Sequence, residues 1–214
     1  MDISSIRVEY KQKALSEEEV GLDPIVFFEK WFKDAIDSQI SESNAMTLAT
    51  VDDAGIPHAR IVLLKEINSK GFVFFTNYQS NKGKQMEKHN KVSLLFFWKE
   101  LERQVRIEGR VEKISAEESE EYFNSRPLGS RIGALASPQS QIIKSRDVLE
   151  KKQKQLEEQA ASDPSSIQRP EHWGGYIVKP YFMEFWQGRE SRLHDRIAFE
   201  KLADSNWKIY RLAP

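Results

Sequence analysis

Between Ala45 and Val111 the apolar runs are too short for helices, and turn signals part them. AMTLATV ends at DDAG and ARIVLLKEI at NSKG, and FVFFTN, VSLLFFW and ERQVRIEGRV follow. Runs of β-branched and aromatic residues bounded by Gly, Asn, Asp and Ser read as strands joined by tight turns. A parallel pair needs a crossover of about a dozen residues or more, usually helical. Nothing of that length lies between Ala45 and Asn77, so the strands are expected to pair mainly antiparallel. About five such strands curl readily into a closed or partly closed barrel. The expected class is therefore mainly β with flanking helices.

The flanks carry their own punctuation. Asp23-Pro24 is a capping carboxylate followed by a residue preset for a first helical turn. Phe27, Phe28, Trp31, Phe32, Ala35 and Ile36 then form one apolar stripe. SAEE from Ser115 predicts a capping box and a helix through Tyr122 and Phe123 that stops at Ser125-Arg126-Pro127. A second helix is expected over Ser130 to Ala136, and a charged, solvated one over Ser145 to Ala160. GGYIVKP, FMEFWQG and the pair IAFEKL and WKIYRL read as closing strands. Residues 1–22, charged and poor in large apolar groups, read as a mobile N-terminal arm or lid. Residues 23–214 then make a single domain.

Several chemistries are disfavoured at once. With 32 basic and 33 acidic side chains the net charge is -1, which points away from nucleic acid or an anionic membrane as partner. The absence of cysteine removes disulfides, thiolate nucleophiles and common zinc frameworks. His58, His89, His172 and His194 show no ligand spacing, so no metal is expected. Neither phosphate-binding glycine motif nor a GxSxG elbow occurs, which leaves difficult chemistry to an organic cofactor. The polar start and the longest apolar stretch, Val92 to Trp98, far below the ~18 residues of a membrane span, lead to an expectation of a soluble, cytoplasmic protein.

Three strings invite closer reading. Arg60 and Lys65 lie in an apolar run, where cations either snorkel to solvent or hold an anion. Regular alternation through ARIVLLKEI would put them on opposite faces. NYQSNKGK is a lysine-rich turn after a strand, ordinary in itself yet a common place for ligands. RLHDR, at Arg192 to Arg196, would in isolation be a surface salt-bridge cluster.

Together with VFFTN, LERQVRIEG, YFNSRP, SPQS, HWGG, EFWQG and the terminal WKIYRLAP, these strings occur in an order that resembles the pyridoxamine 5'-phosphate oxidase family over nearly the whole chain. The resemblance implies an FMN-binding split β-barrel, mostly antiparallel and homodimeric, with FMN at the dimer interface. The family's FMN contacts fall on Arg60, Ile61, Val62, Leu63 and Lys65, on Phe75, Thr76, Asn81 and Lys82, and on Gln104, Gln139, Ser140, Trp186 and Arg196. The substrate phosphate falls to Lys65, Tyr122, Arg126 and Ser130. Arg192 and His194 match the residues against the pyridine ring and take the catalytic roles, and Arg7 and Tyr10 match a segment that covers the substrate.

The implied reaction oxidises pyridoxamine or pyridoxine 5'-phosphate to pyridoxal 5'-phosphate. A hydride equivalent passes from the substrate C4' carbon to flavin, and O2 takes the electrons to give hydrogen peroxide. Hydrolysis of the imine releases ammonia from the amine substrate. Alternatives are another split-barrel flavoprotein, such as a flavin reductase, or a non-catalytic protein binding FMN or pyridoxal phosphate. Asn81 stands where the family often has arginine, and Arg189 and Ser191 also depart from frequent choices.

Overall fold

A computed structural model describes residues 1–214 except 2, 4, 6–8 and 12. After a short helix α1 (Glu17–Val20) and a long one α2 (Pro24–Asp37), strands β1 (Ala45–Val51), β2 (Pro57–Leu63), β3 (Glu66–Asn68) and β4 (Gly71–Asn77) follow. Helix α3 (Asn81–Lys88) leads to β5 (Lys91–Trp98) and β6 (Arg103–Lys113). Helices α4 (Ala116–Ser125), α5 (Leu128–Ala136) and α6 (Asp147–Ser162) precede β7 (Trp173–Gln187), β8 (Asp195–Lys201) and β9 (Trp207–Arg211). The sheet runs β2-β1-β5-β6-β7-β4-β3, with β8 and β9 branching from β7. Every pairing is antiparallel.

The split originates in β7. One edge of this strand pairs along β6, while its other edge pairs first with β4, from Trp173 to Val178, and then with β8, from Phe182 to Gln187. The register against β6 shifts between Glu108 and Gly109, so the bulge falls beside Pro180, a residue without an N–H for the ladder. GGYIVKP and FMEFWQG are therefore one strand, not two: the bulge accommodates the proline that reads as a terminus in the sequence. ARIVLLKEI departs in the opposite direction. It breaks after Leu63, because the Leu64 amide donates to the Asn44 carbonyl and the Lys65 amide to the Val73 carbonyl.

Helix α2 closes one side of the sheet. The Asp23 carboxylate accepts from the Ile25 amide at 2.8 Å and caps the helix. Phe28 then meets the rings of Phe72, Phe96 and Trp98 at centroid distances of 4.9, 5.0 and 5.9 Å, and Phe27 meets Phe185 at 4.8 Å. Each such ring stabilises by roughly 2–3 kcal/mol on burial. The expected stripe holds except at Ile36, which is exposed at 53%. Leu15 and Val20, both 2% exposed, belong to the same core, so part of the segment assigned to an arm is packed into the body. A second, small cluster of Ile132, Leu156, Ala160 and Ile167 joins α5 to α6. Among the described residues no helix is long and apolar enough to cross a membrane.

Candidate active site

The break after β2 has a direct chemical outcome. Leu64 is 4% exposed in the core, so its neighbour Lys65 turns out into a cavity of about 580 Å³. Ile61, Val62 and Leu63 continue that wall, and Phe75, Thr76 and Asn77 from the end of β4 form the next. Helix α3 supplies Lys82. It packs closely because position 83 is glycine: a Cβ there would lie 2.1 Å from the Tyr78 carbonyl oxygen.

The far side comes from α4 and α5. Ser115 accepts from the Glu118 amide while the Glu118 carboxylate accepts from the Ser115 amide, the expected capping box. It fixes a helix that carries Tyr122 and ends at Arg126 because Pro127 follows. Tyr122 stacks on Phe75 with centroids 3.8 Å apart, and Trp173 at the start of β7 stacks on Phe75 at 5.5 Å. The Arg126 guanidinium lies 4.6 Å from the Trp173 ring, and its Nη1 is buried with no hydrogen-bond partner among the described residues. Helix α5 begins beside it without a side-chain cap and brings Ser130 to the cavity. An uncapped first turn favours anions through its free amides and dipole.

The electrostatics are one-sided. Lys65, Lys82 and Arg126 line the cavity, and no carboxylate does among its described residues. Lys82 donates to Gln139 Oε1 at 2.9 Å and to Thr76 Oγ1 at 3.3 Å, both neutral groups. Burial, with the nearby Arg60 cation, pushes its pKa down to about 8. Arg60 itself donates to the Thr50 hydroxyl at 2.6 Å and the Leu48 carbonyl at 3.1 Å, and burial lowers its pKa too. Uncompensated cations at a half-buried site are unfavourable unless an anion completes them. Because β2 ends at Leu63, alternation does not carry through to Lys65. Lys65 lines the cavity, whereas Arg60 does not; Arg60 lies near enough to Lys82 to depress that lysine's pKa.

A second group gathers at the other end of β7. Gln104, Trp186 and Arg196 stand opposite one another on β6, β7 and β8. The His194 ring lies 4.6 Å from Trp186, and Tyr10 meets Trp186 at 5.7 Å and His194 at 5.8 Å. Gly188 admits Tyr10, since a Cβ there would lie 2.7 Å from Tyr10 Cγ. The Arg189 amide donates to His194 Nδ1 at 3.1 Å, which leaves Nε2 for other partners. Burial, then Arg192, lowers the His194 pKa. Ser191 and Arg192, both non-glycine, take left-handed φ of 55° and 62°. Consecutive strained residues of this kind persist where surrounding structure imposes them and cluster at functional sites.

Of the residues singled out in the sequence, Ile61, Val62, Leu63, Lys65, Phe75, Thr76, Lys82 and Gln139 surround the cavity together with Tyr122, Arg126 and Ser130. Gln104, Trp186, His194, Arg196 and Tyr10 form the second group, with Arg192 exposed at its edge. Asn81 is exposed in a separate groove with Asp52 and Asp53, and Ser140 is exposed outside the cavity. Arg7 lies outside the described residues. Trp173, Asn77 and Ser137 line the cavity but went unassigned in the sequence; the pair of glycines after Trp173, whose close packing leaves no room for a Cβ, was the available signal. No group of three His, Asp or Glu side chains suited to a metal occurs among the described residues.

Comparison with known proteins agrees with this architecture. Residues 32–160 match the pyridoxamine 5'-phosphate oxidase family, and residues 173–214 match the pyridoxine 5'-phosphate oxidase C-terminal dimerisation region. The chain is 53% identical over 214 residues to a pyridoxine/pyridoxamine 5'-phosphate oxidase of Burkholderia lata, covering 99% of both chains, and equally so to one of Burkholderia mallei. The crystal structure of PhzG from Burkholderia lata, in complex with tetrahydrophenazine-1-carboxylic acid, superposes with a TM-score of 0.87 at 26% identity, covering 94% of this chain and 98% of that one. An FMN binding protein from Nostoc punctiforme shares the fold, with a TM-score of 0.72 at 16% identity over 91% of this chain and 100% of that one. By sequence and by fold, the chain belongs to the pyridoxamine 5'-phosphate oxidase family.

Proposed function

We propose that the protein is an FMN-dependent oxidase that converts pyridoxamine and pyridoxine 5'-phosphate to pyridoxal 5'-phosphate with O2 as acceptor. The observation that carries this reading is the buried Nη1 of Arg126, without a partner among the described residues, in a cavity with Lys65, Tyr122 and Ser130 that no described carboxylate lines. Cations and hydroxyls in that mixture suit a phosphate dianion. The second phosphate, that of FMN, finds its cations in Lys82, on the cavity wall, and Arg60 nearby, both partly desolvated by burial.

Each complete site draws on two subunits in this reading. Trp173 in the cavity and Trp186 in the second group are 13 residues apart on one strand, roughly 40 Å along it. One aromatic substrate cannot bridge that span, whereas a two-fold dimer places the cavity of one chain against the second group of the other. The terminal region's match to a dimerisation region supports this arrangement.

Bound FMN would supply the two-electron acceptor and pass the electrons on to O2. The protein's part is orientation. Lys65 and Arg126 anchor the phosphate remote from the reacting carbon, and the partner's Arg192 and the partner's His194 face the pyridine ring, which aligns the reactants at low entropy cost. Tyr10 covers the bound substrate from the arm. The test is direct: the purified protein shows a flavin spectrum, and under air it forms pyridoxal phosphate and peroxide from either substrate. Flavin-loaded protein that leaves both substrates unchanged refutes the reading. PhzG, whose structure holds a tetrahydrophenazine carboxylic acid, gives the control compound for that assay.

A further inference from the structure

Glu184 lies towards the C-terminal end of β7 and is 3% exposed, although no role in the proposed reaction falls to it. Its two oxygens are divided between two cations. Oε1 accepts from Arg196 Nε at 2.7 Å, and Oε2 accepts from Arg106 Nη2 at 2.7 Å. Arg106 sits directly opposite on β6, whereas Arg196 belongs to the adjacent row with Trp186 and Gln104. The carboxylate thus ties the row proposed to meet the flavin to the row beneath it. Arg196 Nη1 donates to the Ala213 carbonyl at 2.8 Å, which leaves Nη2 without a hydrogen bond among the described residues.

The charge state agrees with this bridging. Burial pushes the Glu184 carboxyl up, yet the Arg196 and Arg106 guanidiniums more than offset it and hold the group below the usual carboxylate range. Arg106 is held further by Glu108 and by the face of Phe182, 4.9 Å away. It therefore forms a fixed anchor from which Glu184 reaches Arg196. Without the carboxylate, two half-buried guanidiniums would share no anion between them.

We propose that Glu184 is a positioning residue: through its bridge to Arg106 it fixes the Arg196 guanidinium with Nη2 turned towards the bound FMN. The inference rests on the FMN reading above. Glu184 touches neither cofactor nor substrate and acts only through Arg196. A neutral isostere fails here for a specific reason: Glu184→Gln turns one acceptor oxygen into an NH2 donor, so one guanidinium meets a donor in place of an acceptor.

The experiment titrates FMN into dimeric apoprotein, by quenching of flavin fluorescence, for the wild type, Glu184→Gln, Arg196→Lys and the double variant. Glu184→Gln is expected to weaken FMN about 10- to 100-fold, the range for a lost charge-assisted hydrogen bond. The double variant is expected to bind no more weakly than the worse single one, because both remove the same contact. Glu184→Asp keeps the charge but draws the carboxylate back by one methylene, and it is expected to bind FMN with intermediate affinity. Additive losses, or a folded Glu184→Gln that binds FMN as the wild type does, overturn the proposal. If Glu184→Gln does not fold, unchanged affinity in Glu184→Asp overturns it equally. Wild-type apoprotein that binds no FMN would instead reject the underlying functional reading.

Discussion

The Arg126 guanidinium lies over the Trp173 ring on the cavity wall, its carbon 4.6 Å from the indole centroid and Nη1 buried without a partner among the described residues. Trp173 holds the cation in place by its ring quadrupole but gives it no acceptor. The geometry leaves a donor set aside for a ligand.

Arg126→Met should therefore separate stability from function. Removing an uncompensated half-buried charge leaves the melting temperature unchanged or raises it. Losing a charged hydrogen bond to phosphate raises the KM for pyridoxamine phosphate by about 100-fold. Calorimetry and steady-state kinetics read the two effects. A lower melting temperature with unchanged KM would show that Arg126 serves the fold.

Lys82 predicts a pH dependence of cofactor binding. Its pKa is pushed down to about 8 in the absence of an anion, and a phosphate dianion beside it would raise it again. Binding then takes up a proton, so FMN affinity falls as pH rises through about 8. The stability of the apoprotein moves the other way. The unfolded chain, with lysine at 10.5, holds the proton longer, so stability rises from pH 8 towards 10.5. Lys82→Arg stays charged throughout and should flatten the affinity profile. A wild-type profile already flat from about pH 7 to 9.5 would contradict the assignment.

Arg192 is exposed and carries no structural hydrogen bond among the described residues, so Arg192→Ala should keep the fold and the yellow flavin while losing most turnover. Its cation also lowers the His194 pKa, second to burial. The same variant should consequently shift the His194 titration, followed by NMR, to higher pH. Near-normal turnover with FMN retained would reject the catalytic role.

Much of this was legible in local pattern, and the failures have physical causes. Turn spacing disclosed the antiparallel sheet, and SAEE disclosed the cap of α4. Pro180 misled because its missing N–H is absorbed by a bulge at Tyr181 on β7, set by pairing with Gly109 on β6, 71 residues away in the chain. The break in ARIVLLKEI before Lys65 is not visible in the sequence because it is set by Asn44 and Val73, partners that no local window contains. Trp173 was visible only as part of HWGG, since its role depends on stacking with Phe75 from another strand. The motif strings named most of the polar residues of the cavity, but not that the cavity lies at the start of β7 and RLHDR just past its end.

The composite, two-subunit site is tested most directly by pairing two inactive variants. Arg126→Ala disables the cavity and Arg192→Ala the other group. Alone, each should have almost no turnover. Co-expressed with separate tags, about half of the dimers are mixed, and each mixed dimer holds one site free of both changes, so activity should return to about a quarter of the wild type. Mixed dimers that form but stay as inactive as their parents would show that each chain completes its own site, and would contradict the account.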